Sequence, residues 1–172
     1  QKTVLVTSNF DNVGSLPCNT SIGGPAKGII VREIDALGGQ MAVTADKTYL
    51  QMKMLNTAKG PGVQSLRGQA DKIKYPRYMQ KVLKEQENLD IVEGMVEDLI
   101  VEDNTVKGVI LDDGQKIMGK MVILTTGTYL KAEILCGHQK HPSGPNQQKE
   151  SKYLSTRLAK LGFRIQRLKT GT

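Results

Sequence analysis

The stretch VEDLIVEDNTVKGVILDDGQKIMGKMVILTTGT, residues 96–128, decides the fold class. After a β-prone run at Leu89–Val96, it holds Leu99–Glu102, Val106–Leu111 and Gln115–Met118, separated by the turn formers Asp103-Asn104 and Asp112-Asp113-Gly114. Short strand-prone runs joined by so few turn residues predict an antiparallel meander, roughly residues 97–118. Met121-Val122-Ile123-Leu124 then runs apolar without alternation, the pattern of a strand covered on both faces in a parallel sheet. It ends in Thr126-Gly127-Thr128, where such sheets meet their ligands. A meander feeding a parallel strand predicts a mixed α/β fold.

Working outward, Thr3–Thr7 reads as a buried strand and Ser8–Ser21 as a long loop. From Pro25, the positions Ile29, Ile30, Ile34 and Leu37 follow helical spacing, and Gly38-Gly39 terminates the helix. Tyr49–Leu55 is strand-like until Lys59-Gly60-Pro61-Gly62 breaks it. A second helix is expected from about Leu66 to Gln86, kinked at Pro76. Towards the end, residues 137–150 read as a surface loop, Ser151 as the N-cap of a helix through Leu154, Leu158 and Leu161, Gly162 as its stop, and Phe163–Leu168 as a last strand.

The 172 residues suffice for one domain with a core. No run approaches the roughly 18 uninterrupted apolar residues of a membrane helix, so no membrane partner is expected. The opening residues lack an initiator methionine and a secretory layout and enter a strand at once, which reads as an internal fragment of a longer protein. Cys18 and Cys136 lie far apart, favouring reduced thiols in a cytoplasmic setting over a disulfide framework. A net charge of +7 and a pI near 9.4 favour polyanions such as RNA.

Pro17-Cys18-Asn19, Gly23-Gly24-Pro25-Ala26-Lys27-Gly28, Glu33 to Gly39, Leu55-Asn56, Lys59-Gly60-Pro61, Gln69-Ala70-Asp71, Val96 to Leu99, Thr126-Gly127-Thr128 and Arg167 to Thr172 occur in order along the chain. Together they resemble the glucose-inhibited division protein A family of tRNA wobble-uridine modification enzymes, and the likeness covers essentially the whole chain. The resemblance implies an FAD-binding, Rossmann-like domain of the glutathione-reductase type with the meander as its crossover. No G-x-G-x-x-G turn occurs in the chain, so the N-terminal βα unit is expected to be missing. The whole of 1–172 would then be a partial FAD-binding domain, without the NAD-binding insertion and the C-terminal helical domain. The implied activity uses FAD, NADH and a folate one-carbon donor to add a carboxymethylaminomethyl group to the wobble uridine of tRNA. It involves a GTPase partner in a heterotetramer and a homodimer of the enzyme itself, and the fragment alone would be inactive.

Residue by residue, the resemblance makes Cys18 a catalytic thiol, as nucleophile or acid/base, or else a small residue packed on the cofactor. Asn19, Ser21, Gly23, Gly24, Lys27, Gly28, Val96, Thr126, Gly127, Thr128 and Ser151 become cofactor contacts. The glycines would let main chain approach a flat polyanion closely, and the helix start would face negative charge. Lys59, Arg67, Arg167 and Lys169 fall on the substrate side, where they would meet RNA phosphates or simply form a solvated basic face. Cys136, His138 and His141 lack the paired spacing of a zinc site, and no metal is expected. Thr20 and Gln64 depart from the family's proline and arginine. Two other readings stay open: another two-domain flavoprotein, such as a folate-dependent tRNA methyltransferase or a reductase, and a basic RNA-binding module without redox chemistry.

Overall fold

The computed structural model describes residues 1–17, 19–144 and 148–168, arranged as two compact units. The first holds residues 1–4 and 9–90; the second holds residues 5–8 and 91 onward. Helices and mostly antiparallel sheets alternate, so the mixed α/β class read from the sequence stands.

The chain opens with β1 (Thr3–Thr7), partly exposed rather than buried, and continues to β2 (Ser21–Gly23), a strand the sequence did not announce. Helix α1 (Lys27–Ala36) follows, and Gly38 at φ +85° closes it. The Gly38 amide donates to Asp35 O and the Gly39 amide to Ile34 O, so two otherwise orphaned carbonyls are satisfied. The expected terminator is therefore correct; the expected core face is not. Val31 is the buried residue of α1, whereas Ile29, Ile30, Ile34 and Leu37 are exposed, Leu37 by 89%. The small residues of α2 (Gln40–Thr48) explain why that helix was invisible in the sequence. It buries Thr44, Ala45 and Thr48, which form no large apolar stripe, and Thr48 Oγ1 bonds back to Thr44 O.

β3 (Tyr49–Leu55) and β4 (Ser65–Ala70) join β2 in an antiparallel sheet ordered β2-β4-β3, with Ile22 and Met52 both opposite Gly68. Residues 66–70 are thus strand, not helix, and α3 runs only from Lys74 to Glu85. This corrects the expected kink as well. Pro76 is the third residue of α3, where a backbone N–H has no partner within its own helix, so the ring removes nothing the helix needs. Asp71 Oδ1 accepts from the amides of Ile73 and Lys74 and supplies the cap. Ile22, Val31, Ala45, Ala70 and Tyr75 form the core of this unit, with Leu16, Met41, Ala42 and Met79 against it. β5 (Leu89–Glu93) pairs with β1. Thr3 N bonds to Asn88 O and Gly94 N to Thr7 O, so both strands advance in the same sense.

The second unit contains the expected meander: β6 (Val96–Glu102), β7 (Thr105–Leu111) and β8 (Lys116–Met118), antiparallel and in that order. Asp103 and Asn104 both take positive φ, as the tight β6–β7 turn demands. Leu111 and Val109 are buried. The run at 121–124 departs from expectation: these residues join no strand of the described chain, and Met121 and Ile123 are 76% and 86% exposed. An apolar run states a demand for cover without providing it. Phe163 to Leu168 likewise forms no strand and leaves Phe163, Ile165 and Leu168 exposed. The start of the expected loop at 137–150 is instead the second half of a hairpin: β10 (Gln139–Pro142) pairs with β9 (Glu133–Cys136), and Cys136 is exposed. Helix α4 (Leu154–Lys160) buries Leu154 and Leu158, and Gly162 at φ +93° closes it. Arg157 Nε lies 3.1 Å from Asp98 Oδ2 and ties α4 to β6.

Candidate functional site

The expected cofactor and substrate residues fall into two groups, one in each unit. In the first, Asn19 Oδ1 accepts from the amide of Ser21 at 2.8 Å and sets the entry into β2. Ser21 is 9% exposed and gathers two cations: Lys27 Nζ donates to its carbonyl at 3.1 Å, and Arg67 Nε donates to its hydroxyl at 3.0 Å. Lys27, expected on the cofactor side, and Arg67, expected on the RNA side, thus share one anchor. An arginine held through Nε leaves the far edge of its guanidinium available for an anion.

The three glycines divide by cause. A Cβ on Gly23, at φ +133°, would lie 2.3 Å from Leu66 O and 2.6 Å from Arg67 Cα, so that glycine permits the close approach of β2 and β4. At Gly28 a Cβ would lie 3.3 Å from Gly23 Cα, so the first turn of α1 sits directly on that strand end. These two positions are explained by packing. Gly24 is different: at φ +92° its Cβ direction is open, with no atom within 4 Å. Its amide bonds Leu66 O and its carbonyl accepts from the Gly28 amide, which fixes the main chain while leaving that side clear. Lys59 lies exposed in the β3–β4 loop, where Gln64 Nε2 holds its carbonyl at 3.1 Å. Gln64, where an arginine was expected, therefore braces the loop. Cys18 lies outside the described residues.

In the second unit, Ser151 is not the cap of α4, which begins three residues later. Its hydroxyl instead donates to Val96 O at 3.5 Å, while its amide bonds Tyr129 O and its carbonyl accepts from Lys131 N. Val96 and Ser151, expected separately as cofactor contacts, are thus in contact with each other. Thr126, Gly127 and Thr128 form a largely exposed turn with Gly127 at φ +57°, facing the Tyr129 ring at 3.4 Å from a notional Cβ. Arg167 Nη1 donates to Lys131 O at 3.1 Å and lies 3.7 Å from Glu133 Oε2, so it is committed to its own unit. Lys169 lies outside the described residues.

The shifted titrating groups are scaffold groups. The amides of Lys74 and Ile73 hold the Asp71 carboxyl below the usual carboxylate range. Asp112 is lowered by Lys149, 3.0 Å away, and by the Met95 amide, and Lys149 is raised in return. Burial pushes the Tyr75 hydroxyl up. Among the described residues, no group of three His, Cys, Asp or Glu is arranged to hold a metal, and no helix is long and apolar enough to cross a membrane.

The sequence names Ser21 as a cofactor contact but does not foretell that Lys27 and Arg67 meet on it, nor, in the second unit, a cavity beside β9. A polar residue before a Gly-Gly pair carries no periodic signal, and partners separated by 46 positions are found only by strand register. The chain is 58% identical over 170 residues to the tRNA uridine 5-carboxymethylaminomethyl modification enzyme MnmG of Acholeplasma laidlawii, covering 99% of this chain and 28% of that protein. It is 57% identical over 171 residues to the protein of the same name from Geobacillus kaustophilus, covering 99% and 27%. The structure of Aquifex aeolicus GidA superposes with a TM-score of 0.87 at 47% identity, over 92% of this chain and 26% of that one. This chain thus spans little more than a quarter of the relatives it matches. The family model for glucose inhibited division protein A matches residues 1–172, and the chain belongs to that family.

Proposed function

We propose that this chain is part of the FAD-binding portion of an enzyme that builds a carboxymethylaminomethyl group on the wobble uridine of tRNA. The observation that carries the reading is the 58% identity, over nearly every residue, to a protein named for that modification. The first unit suits a flavin nucleotide on its own evidence. Gly24 is itself buried but leaves its Cβ direction open, and Lys27 and Arg67 place two positive charges on the adjoining Ser21. Gly24 and the start of α1 would lie under the cofactor, while Lys27 and Arg67 would balance its negative charge. The Val96–Ser151 pair and the Thr126-Gly127-Thr128 turn would supply further contacts.

A bound flavin, kept reduced by NADH, would assist transfer of a folate-borne one-carbon unit to the uridine without a net change in that carbon's oxidation level. Cys18 would act as nucleophile or acid/base there, a role that requires its thiolate. Lys59 and Lys169 would meet RNA phosphates. Arg67 would serve from its Ser21 anchor, and Arg167 would act only by releasing Glu133. The assembly proposed is a cytoplasmic homodimer that joins a GTPase in a heterotetramer, with the 172 residues alone inactive.

The test is the visible spectrum of a full-length protein carrying this chain, recorded with and without NADH. The reading expects the band of oxidised flavin and its loss on reduction. A colourless protein that binds RNA with a steep salt dependence would refute it and favour a basic RNA-binding module.

A further inference from the structure

A cavity of about 510 Å³ opens in the second unit among Lys131, Glu133, Glu150, Lys152, Tyr153 and Arg167. Glu150 lines it at 8% exposure, and its carboxylate has no hydrogen-bond or ion-pair partner among the described residues. That carboxylate keeps a small contact with solvent yet meets no donor among the described residues, so a ligand bearing N–H groups is a natural complement. The rim limits what that ligand is. Arg167 and Glu133 satisfy each other at 3.7 Å, whereas Lys131 and Lys152 are exposed and free among the described residues. Those two ammonium groups oppose a cationic ligand such as an arginine side chain and favour one that also carries negative charge. Tyr153, 55% exposed, offers a ring face for stacking.

We propose that this cavity binds a guanine nucleotide. The guanine edge sets a ring N–H beside an exocyclic amine, so two parallel donors reach one carboxylate, while the phosphate meets Lys131 or Lys152. The favoured source is an unpaired guanosine of an RNA strand. That choice of source rests on the tRNA reading above; the nucleotide chemistry does not.

The test uses a full-length protein carrying this chain. Single-stranded RNA tetramers containing one guanosine, or inosine in its place, are titrated by fluorescence anisotropy, and guanosine and inosine 5′-monophosphates by calorimetry. Inosine lacks the exocyclic amine. Guanosine is expected to bind about tenfold tighter than inosine, and Glu150→Gln to abolish the difference at an unchanged melting temperature. Lys152→Gln is expected to weaken both tetramers equally and to reduce the salt slope by about 1. Discrimination by the tetramers alone assigns the cavity to RNA, and by the mononucleotides as well assigns it to the free nucleotide. Equal affinity for guanosine and inosine overturns the proposal. So does a Glu150→Gln variant that melts lower with its discrimination intact, because the carboxylate would then be serving the fold. Neither failure touches the flavin reading, whose spectrum is measured without RNA.

Discussion

Replacing Gly23 and Gly24 one at a time with alanine separates the two roles assigned to that pair. At Gly23 the new Cβ would start 2.3 Å from Leu66 O and 2.6 Å from Arg67 Cα, both main-chain atoms of β4. No rotamer change relieves a backbone clash, so β2 must move by about 1 Å to restore ordinary contact. That movement strains the Gly23–Arg67 pairing and the 3.0 Å bond from Gly24 N to Leu66 O. Overpacking costs about 1–3 kcal/mol and the left-handed backbone about 1–2 kcal/mol for a residue with a Cβ, about 2–5 kcal/mol in all. Gly24→Ala carries only the backbone term of about 1–2 kcal/mol, because its Cβ meets open space. For a domain of this size, each kcal/mol lowers the melting temperature by about 2–4 °C, so Gly23→Ala should melt at least about 4 °C below wild type and below Gly24→Ala. Thermal unfolding of the flavin-free full-length protein makes the comparison. The flavin readout should reverse the order: Gly24→Val loses bound flavin by filling the open side. A Gly23→Ala protein that melts with wild type, or a Gly24→Val protein that keeps full flavin, refutes the division of roles.

Other outcomes follow from the same geometry. Pro76→Ala should change the melting temperature by less than about 2 °C, since the ring occupies the first turn of α3; a large gain would revive the kink. Lys27→Gln and Arg67→Gln should each weaken flavin affinity by about tenfold or more in a fluorescence titration, the range for one charge-assisted hydrogen bond, and unchanged affinity would remove the Ser21 anchor from the site. The Asp71 carboxyl titrates lower folded than unfolded, so its contribution is present above the unfolded value and disappears as pH falls through the folded one. Asp71→Asn keeps an acceptor for Ile73 and Lys74 without the titration, and urea midpoints measured against pH should fall less steeply on acidification than in wild type. Parallel profiles would sink the assignment.

What could be read from the residues alone was whatever is encoded locally. The Gly38-Gly39 stop, the Asp103-Asn104 turn and the Gly162 stop depend on backbone conformations that one or two residues dictate, and each stands where expected. Residues 66–70 read as helix from the sequence because the pairing of that strand with Ser21–Gly23 and Tyr49–Leu55 lies outside any local window. The glycines show the same limit at the site. Their spacing suggested one purpose, whereas the coordinates assign Gly23 and Gly28 to the packing of β2 against β4 and α1, leaving Gly24 as the position with clearance for a ligand.

Burial was the least legible property, for a physical reason. Hydrophobicity records that a surface needs cover but not which surface supplies it, and Ile29, Ile30, Leu37, Met121, Ile123 and Leu168 all remain exposed. The periodic reading of α1 picked out its apolar stripe but not which face is covered: Val31 meets the core of its own unit, while the stripe is exposed. Scattered apolar residues on a surface need no explanation, but contiguous ones on a helix face and along an extended run do. The relatives are more than three times as long as this chain, which spans 28% of one and 27% of another. Added length brings further surfaces against which such runs can be covered, so hydrogen exchange at residues 121–124 should be slower in a full-length protein than in the 172 residues alone. Equal exchange rates in the two would mean that the run is exposed by design, and its apolar character would then call for a binding partner instead.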